Sequence, residues 1–323
     1  MTAATPGEER HGVELTNLDQ PLFDGAGATK RDLVDYIDGV RDRILPVLAE
    51  RPLSVIRVHR GQEAFMQKNV PRYAPDWVRT VPFWAETSKR EVSYALCDDR
   101  RTLLWFANQR AVEYHPALVR VDDPDHMTHL VLDLDPPEGE SFALVVRVAR
   151  LVQQVLTELG LSGAVKTSGA KGLHVFVPIE PVPMAAAAAT TRALAARVAA
   201  LDPQIATIEF VKDARGGRVF VDSTRAGGAT VISTYSPRVR PGVPVSFPVA
   251  WGDLEAVTPK DFTIHTALGL LAGGDPWAEH MPLGQAVPPD LVAEGHEIPV
   301  GRVAAMHEGK RRQAAERGRQ RSE

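Results

Sequence analysis

Residues 129–139, HLVLDLDPPEG, constrain this chain more than any other stretch. An apolar, β-branched run reads as a strand, and Pro136-Pro137 ends it directly after two aspartates. Side chains alternate along a strand, so Asp133 and Asp135 project to one face while Leu134 turns to the other. Two carboxylates that close repel, and each raises the other's pKa unless a cation stands between them. A divalent ion bound by hard oxygen ligands removes that cost. The turn leaves the pair at the carboxyl edge of the sheet, where ligands of α/β sheets bind.

The flanking segments alternate in type. Residues 141–160 form an amphipathic helix with a serine cap at the start and a glycine at the end. AVKT (164–167) is a short strand, SGAKG (168–172) a turn and LHVFVPI (173–179) a further strand. MAAAAATTRALAARVAAL (184–201) is a helix stopped by Asp202-Pro203, and GRVFVD (217–222) is another strand. This order predicts an α/β fold with mixed β-sheets flanked by helices. Upstream, LSVIRVH (53–59) and EVSYALC (91–97) read as strands. Residues 29–50 read as one helix capped by Thr29, and 100–115 as a second. We expect a disordered polar tail over 1–12 and a domain over 13–300, with an N-terminal part to 118 and a catalytic part from 119. Proline and glycine make the segment after about residue 237 irregular, and residues 301–323 form a basic tail.

Composition narrows the setting. The chain has 323 residues, 44% hydrophobic and 24% charged, enough for a large buried core. One cysteine, Cys97, excludes an intrachain disulfide and a cysteine-rich zinc site, which favours a reducing, cytoplasmic setting. The N-terminus lacks an apolar signal region and no run reaches membrane-spanning length. The net charge of −4 argues against a generic DNA-coating protein. Yet Lys212, Arg215, Arg218, Arg225, Arg238 and Arg240 crowd into residues 210–240 against Asp213 and Asp222. Such a patch fits a phosphate-rich ligand; the alternative is a solvated surface.

Asp222 ends a β-rich run and supplies a third carboxylate. Three aspartates on neighbouring strand ends are what two-metal nucleotidyl transfer requires, one ion for the attacking oxygen and one for the leaving group and triphosphate. In KTSGAKGLHV (166–175), Ser168, Gly169, Lys171 and Gly172 make a tight turn, with His174 one step into the next strand. Small residues there let backbone N–H groups face an anion, although the spacing is not that of a Walker loop. The bland alternative is a hairpin turn with an incidental lysine. Arg225, Arg238 and Arg240 follow, suited to bidentate contact with a polyphosphate.

With these elements in order, the chain resembles the polymerase domain of bacterial ligase D, in the archaeo-eukaryotic primase superfamily, and within it the standalone bacterial primase-polymerases. D133-L-D135-P, S168-G-A-K171-G-L-H174 and V-F-V-D222 correspond to that family's three motifs. R51-P-L-S-V, F65-M-Q-K68, N108-Q-x-A-x-E-x-H115 and Y235-S-x-R238 support them, from about residue 13 to about residue 280. The resemblance implies a template-dependent repair polymerase that fills short gaps or broken DNA ends with NTPs or dNTPs, in end joining or excision repair. Asp133, Asp135 and Asp222 would hold two divalent ions, Mn2+ or Mg2+. His115, Ser168, Lys171, Gly172, His174, Arg225 and Arg238 would meet the incoming nucleotide. Asn17, Lys30, Phe65 and Lys68 would contact DNA, the first two at a downstream 5′-phosphate and Phe65 by stacking on template bases. Partners implied are gapped or broken duplex DNA, a separate DNA ligase and Ku, for a monomer near the nucleoid. The remaining length holds no ligase motif, so the ligase is expected in trans.

The sequence departs from the pattern in places. Gln20 stands where a second lysine is usual, which implies weaker 5′-phosphate affinity. Met66 leaves one aromatic where some relatives have two. Ser223 and Ala226 replace an aromatic and an asparagine, so no sugar preference carries across. Two other classes remain. A haloacid-dehalogenase-like phosphatase would use Asp133 as nucleophile, but Pro137 stands where that chemistry wants threonine or valine. A non-catalytic DNA-end binder that recruits a ligase would need the phosphate pocket alone.

Overall fold

The 13-residue strand that ends in Asp133-Leu134-Asp135 organises the larger of three sheets. The computed structural model describes residues 8–59, 61–85, 90–139, 142–226 and 230–300. The expected serine cap at 141 and the basic tail over 301–323 lie outside the described residues, as do residues 1–7.

The first sheet is a hairpin of β1 (Glu8–Arg10) and β2 (Val13–Leu15). Residues 8–10 were expected in a disordered tail and instead pair. Arg10 ties them down, its guanidinium 2.6 Å from Glu8 and 2.7 Å from Asp35 on the next helix. Helices α1 (Lys30–Gly39) and α2 (Arg41–Leu48) replace the single helix expected over 29–50. Thr29 caps α1 in a reciprocal box with Asp32, a device worth about 1 kcal/mol. The break falls at Gly39-Val40, where a Cβ on Gly39 would lie 2.8 Å from Leu268.

The second sheet joins β3 (Leu53–Arg57), β4 (Phe65–Gln67), β5 (Thr80–Ala85), β6 (Arg90–Ala95) and β7 (Ala111–Pro116). Helix α3 (Arg100–Asn108) precedes β7 and is shorter than the helix expected over 100–115. Arg110 adopts a left-handed φ of 58° and reverses the chain, so AVEYHP continues as a strand antiparallel to β3.

The third sheet contains β8 (Val119–Arg120), β9 (Asp123–Asp135), β10 (Ala164–Thr167), β11 (Leu173–Pro183), β12 (Ala206–Thr207), β13 (Val219–Asp222) and β14 (Pro248–Val249). Its order is β12-β13-β9-β11-β10-β14, with β8 on β9. Only β12 and β13 run parallel, giving the mixed sheet expected from sequence. Helices α4 (Phe142–Glu158) and α5 (Met184–Leu201) pack against it. Strand alternation turns the buried Leu130, Leu132 and Leu134 to one face and Asp133 and Asp135 to the other.

The closing segment is more regular than its prolines suggest. It holds β14 and helices α6 (Ala267–Leu270), α7 (Pro276–His280) and α8 (Pro289–Glu297). Pro289 starts α8 because the first turn of a helix needs no N–H there. Gly295 lets α8 lie on α5, since a Cβ would sit 1.8 Å from the Ala189 carbonyl oxygen.

Candidate active site and nucleic-acid surface

One transverse register builds the centre. Asp222 of β13 lies opposite Asp133 of β9, Asp133 opposite His174 of β11, and His174 opposite Lys166 of β10. Directly opposed residues share a face, so the row presents two carboxylates, an imidazole and an ammonium, with Asp135 two residues along β9 on the same side. The three candidate aspartates therefore lie on one face of the sheet, Asp222 on the strand beside Asp133 and Asp135. Asp133 and Asp222 are buried and Asp135 is exposed at the strand end.

A cation of the protein itself serves the carboxylates. Nη2 of Arg225 donates to Oδ2 of Asp133 at 3.0 Å and lies 3.6 Å from Oδ2 of Asp222. Nε2 of His174 stands 3.2 Å from the other oxygen of Asp133. Burial would raise Asp133, yet His174 and Arg225 outweigh it and hold the carboxyl well below its ordinary range. Desolvation and the charges of Asp133 and Asp222 push Asp135 up to about 6. Burial pushes His174 down to about 4, so the ring is neutral near pH 7.

The donor set fits an oxygen-seeking divalent cation, being three carboxylates of which one is pushed up by its neighbours. Among the described residues, no three His, Cys, Asp or Glu side chains are drawn together into a metal-binding cluster. Both oxygens of Asp133 are engaged, by Arg225 and His174.

A cavity of about 240 Å3 opens beside this row, lined by His115, Asp133, Asp135, Ser168, His174, Arg225, Arg238 and Arg240 among others. Seven residues expected to meet metal or nucleotide thus border one space. Arg238 reaches it from the chain after residues 227–229, which lie outside the described residues. Its Nη1 donates to the Ser168 carbonyl at 2.8 Å and its Nε to Glu113 Oε1 at 3.2 Å. Gly169 allows that approach, since its φ is 69° and a Cβ would meet Arg238 Cγ at 2.6 Å.

The Ser168 turn is not an open anion nest. The Ser168 hydroxyl accepts from the backbone N–H groups of Ala170 and Gly172, both at 3.2 Å, so two donors expected to face a ligand close the turn instead. Gly172 is required by close packing, because a Cβ would fall 2.2 Å from the Leu134 carbonyl oxygen. Lys171 is exposed and does not line the cavity.

Two residues of this site escaped the sequence reading. Glu113 is buried; one oxygen meets His115 Nε2 at 2.9 Å and the other accepts from Arg238 and from the Val239 N–H. Burial would raise its carboxyl, but His115 and Arg238 hold it low. Lys166 is fully buried behind His174. Each is a charged residue inside an otherwise apolar strand, a signal that could have marked them.

The candidate DNA contacts lie elsewhere. Lys30 is buried, its ammonium donating to the Thr16 carbonyl and to Asn108 Oδ1 at 2.7 Å. Desolvation and the nearby Arg110 push it down to about 8. Asn17 takes a left-handed φ of 54° in the same turn. Arg110, which the sequence reading missed, donates to Gln20 Oε1 at 3.0 Å and to the carbonyls of Pro21 and Leu22. It brings a cation to the place where Gln20 does not supply one. Phe65 is exposed on β4, stacked on His59 with centroids 5.3 Å apart, and Lys68 is exposed just beyond. A groove of about 570 Å3 runs between residues 20–24 on one side and Val58, His59 and residues 61–64 on the other. Among the described residues, no helix is long and apolar enough to cross a membrane.

Comparison with known proteins places this geometry. The sequence pattern of the family described as LigD, primase-polymerase domain, matches residues 29–277. The multifunctional non-homologous end joining DNA repair protein LigD of Mycobacterium tuberculosis is 36% identical over 257 residues, 75% of this chain and 33% of that protein. The bifunctional non-homologous end joining protein LigD of Bacillus subtilis is 31% identical over 262 residues, 79% of this chain and 42% of that protein. The chain thus spans well under half the length of these relatives. The solved polymerase domain of M. tuberculosis ligase D in complex with DNA superposes with a TM-score of 0.76 at 33% identity, covering 85% of this chain and all of that domain.

Proposed function

Because the chain belongs to the LigD primase-polymerase domain family, we propose that it is a template-dependent nucleotidyltransferase filling short gaps or broken DNA ends with NTPs or dNTPs. The observation that carries this is the single register joining Asp222, Asp133 and His174 beside a cavity rimmed by Arg225 and Arg238.

Asp133, Asp135 and Asp222 would hold divalent ions, manganese or magnesium, which supply Lewis-acid activation of the primer hydroxyl and charge neutralisation at the triphosphate. Arg238, anchored by Glu113, presents a fixed guanidinium to the phosphates. His174 turns a ring N–H toward the same space, and His115 closes it from the second sheet, held by Glu113. Ser168 shapes the turn beneath Arg238. Lys171 adds charge outside the cavity, where it would meet the strand or the emerging pyrophosphate.

Duplex DNA with a 5′-phosphate at the gap is the proposed substrate. Lys30 and Arg110 supply positive charge at the turn carrying Asn17, Phe65 offers a face for a template base, and Lys68 extends the positive surface. End joining or excision repair is the proposed setting, with a DNA ligase and Ku as partners.

The test is primer extension on a gapped duplex with manganese, comparing 5′-phosphate with 5′-hydroxyl and ribo- with deoxyribonucleotides. Asp133→Ala with Asp135→Ala should abolish extension while leaving gap binding intact. Undiminished extension by that double variant would sink the mechanism. A non-catalytic end binder is the second reading, favoured by the engagement of both Asp133 oxygens. Gap binding by a wild-type chain that never extends a primer would select it.

A further inference from the structure

A second cavity, of about 260 Å3, lies away from the row of aspartates. It shares Val231 and Ile232 with the cavity beside Asp133, but none of its cations or rings belongs to that site. Helix α2 supplies Arg43 and Val47, β9 and β11 supply His129 and Phe176, and α7 supplies Trp277. Apolar surface predominates and a few polar groups interrupt it, which is the anatomy of a small-molecule site. The volume falls below the roughly 300 to 1,000 Å3 typical of such pockets, so the occupant is small.

The rings form a connected cluster. Phe176 packs edge-on against His129, with centroids 6.0 Å apart, and against Trp277, with centroids 5.3 Å apart. Aromatic edges and faces arranged this way favour a further ring over an aliphatic chain.

Arg51 decides the charge of the occupant. Its Nη1 donates to the carbonyls of Ala117 and Val119 at 3.4 and 3.3 Å, and its Nη2 to Thr128 Oγ1 at 2.8 Å. All three acceptors are neutral, and a guanidinium has five N–H donors. Arg43 likewise commits Nε and Nη2 to the carbonyls of Gly274 and Leu271. Among the described residues no carboxylate pairs with either arginine; Asp122 pairs with Arg120 instead, at 3.3 Å. Burial, with the charge of Arg120, pushes Arg51 down to about 10. The lining has one carboxylate, Asp275, and its Oδ1 already accepts from the Tyr235 hydroxyl and from the Trp277 and Ala278 N–H groups. Two cations therefore face one committed anion. A carboxylate matches the guanidinium fork. A phosphate would turn its remaining oxygens toward Val47, Phe176 and Met281, which offer no side-chain donor.

We propose that this cavity binds a small aromatic carboxylate, its carboxylate held by the Arg51 guanidinium and its ring set against Phe176 and Trp277. The site uses none of the residues assigned to metal, nucleotide or DNA, so it stands apart from the polymerase reading.

The experiment follows the Trp277 indole N–H signal by 1H–15N NMR of the full chain at constant ionic strength. Phenylacetate is compared with phenylacetamide, which has the same shape without the charge, and with acetate, which lacks the ring. We expect phenylacetate to bind roughly tenfold tighter than either. Arg51→Met should erase the advantage over the amide. Ala278→Trp, at an exposed position of the lining, should block both aromatic probes. Equal affinity for phenylacetate and phenylacetamide, undiminished phenylacetate binding by Ala278→Trp, or displacement of phenylacetate by equimolar inorganic phosphate overturns the proposal. So does a Trp277 signal that stays fixed in millimolar phenylacetate. If Arg51→Met does not fold, the contrast between acid and amide in the wild-type chain decides together with Ala278→Trp. A chain that never extends a primer would defeat the polymerase reading and leave each of these results in force.

Discussion

Nη2 of Arg225 donates to Oδ2 of Asp133 at 3.0 Å, placing a fixed cation where a divalent ion would have to approach. The same nitrogen is 3.6 Å from Asp222, so one guanidinium balances two of the three carboxylates. Metal binding must compete with it. Arg225→Gln should therefore tighten manganese binding on the order of fivefold, the scale of a partly exposed ion pair. It should also weaken triphosphate binding, because the displaced guanidinium no longer reaches the nucleotide. Electron paramagnetic resonance of free manganese in a titration measures the first effect and needs no turnover. An unchanged manganese affinity would show that Arg225 does not guard the site.

Glu113 joins two cavity-lining side chains that come from distant parts of the chain. It meets His115 on its own strand and Arg238 far along the chain. Glu113→Ala leaves a buried imidazole and a largely enclosed guanidinium without their partner, at about 2 kcal/mol of stability. KM for nucleotide should rise by roughly tenfold as Arg238 loses its anchor. Urea unfolding and steady-state kinetics check the two together. Lost stability with an unaltered KM would make Glu113 structural only.

Gly172 sets how closely the Ser168 turn approaches the end of β9. A Cβ there would fall 2.2 Å from the Leu134 carbonyl oxygen, and backbone cannot yield as a flexible side chain does. Gly172→Ala should cost about 2 to 4 kcal/mol and displace Asp135 along with the strand end. Thermal unfolding gives the first quantity. A variant as stable and as active as wild type would mean that the turn moves freely.

The central sheet was legible because β9, β10, β11 and β13 are short apolar runs with clear turn residues between them. Asp133 and Asp135 could be assigned to one face from alternation, while Asp222 and His174 could be placed only near the ends of their own strands. The register was not legible, since nothing local says that residue 222 opposes residue 133. β7 was hidden for another reason. The pattern of α3 runs into AVEYHP, and only the left-handed Arg110 separates helix from strand. Glu113 was therefore placed on a helix, away from its partners. Lys166 escaped notice although it is a charge in an apolar strand, because its acceptor Ser246 lies 80 residues away, in a stretch whose prolines concealed its packing. Gln20 suggested a weakened phosphate pocket, while Arg110, from beyond α3, brings the missing cation.

The proposed 5′-phosphate pocket carries the pH dependence. Lys30 is buried beside Arg110 and its pKa is pushed down to about 8. A lysine with a depressed folded-state pKa binds fewer protons than in the unfolded chain between about 8 and its ordinary 10.5. Folded-state charge is thus present below pH 8 and lost above it, and the penalty for burying that charge eases as pH rises through the same window. A 5′-phosphate needs the charged form. The preference for a 5′-phosphorylated gap over a 5′-hydroxyl gap should therefore fall as pH is raised from about 7 to about 9, well before an ordinary lysine would respond. Lys30→Met should show a small preference at every pH, supported by Arg110 alone. Fluorescence anisotropy with the two gapped duplexes at constant ionic strength measures both, because the ionic contribution would otherwise mask the titration. A wild-type preference that stays level across this range, together with its loss in Lys30→Met, would mean that phosphate binding raises the Lys30 pKa beyond the window. A level preference in both proteins would remove Lys30 from the pocket.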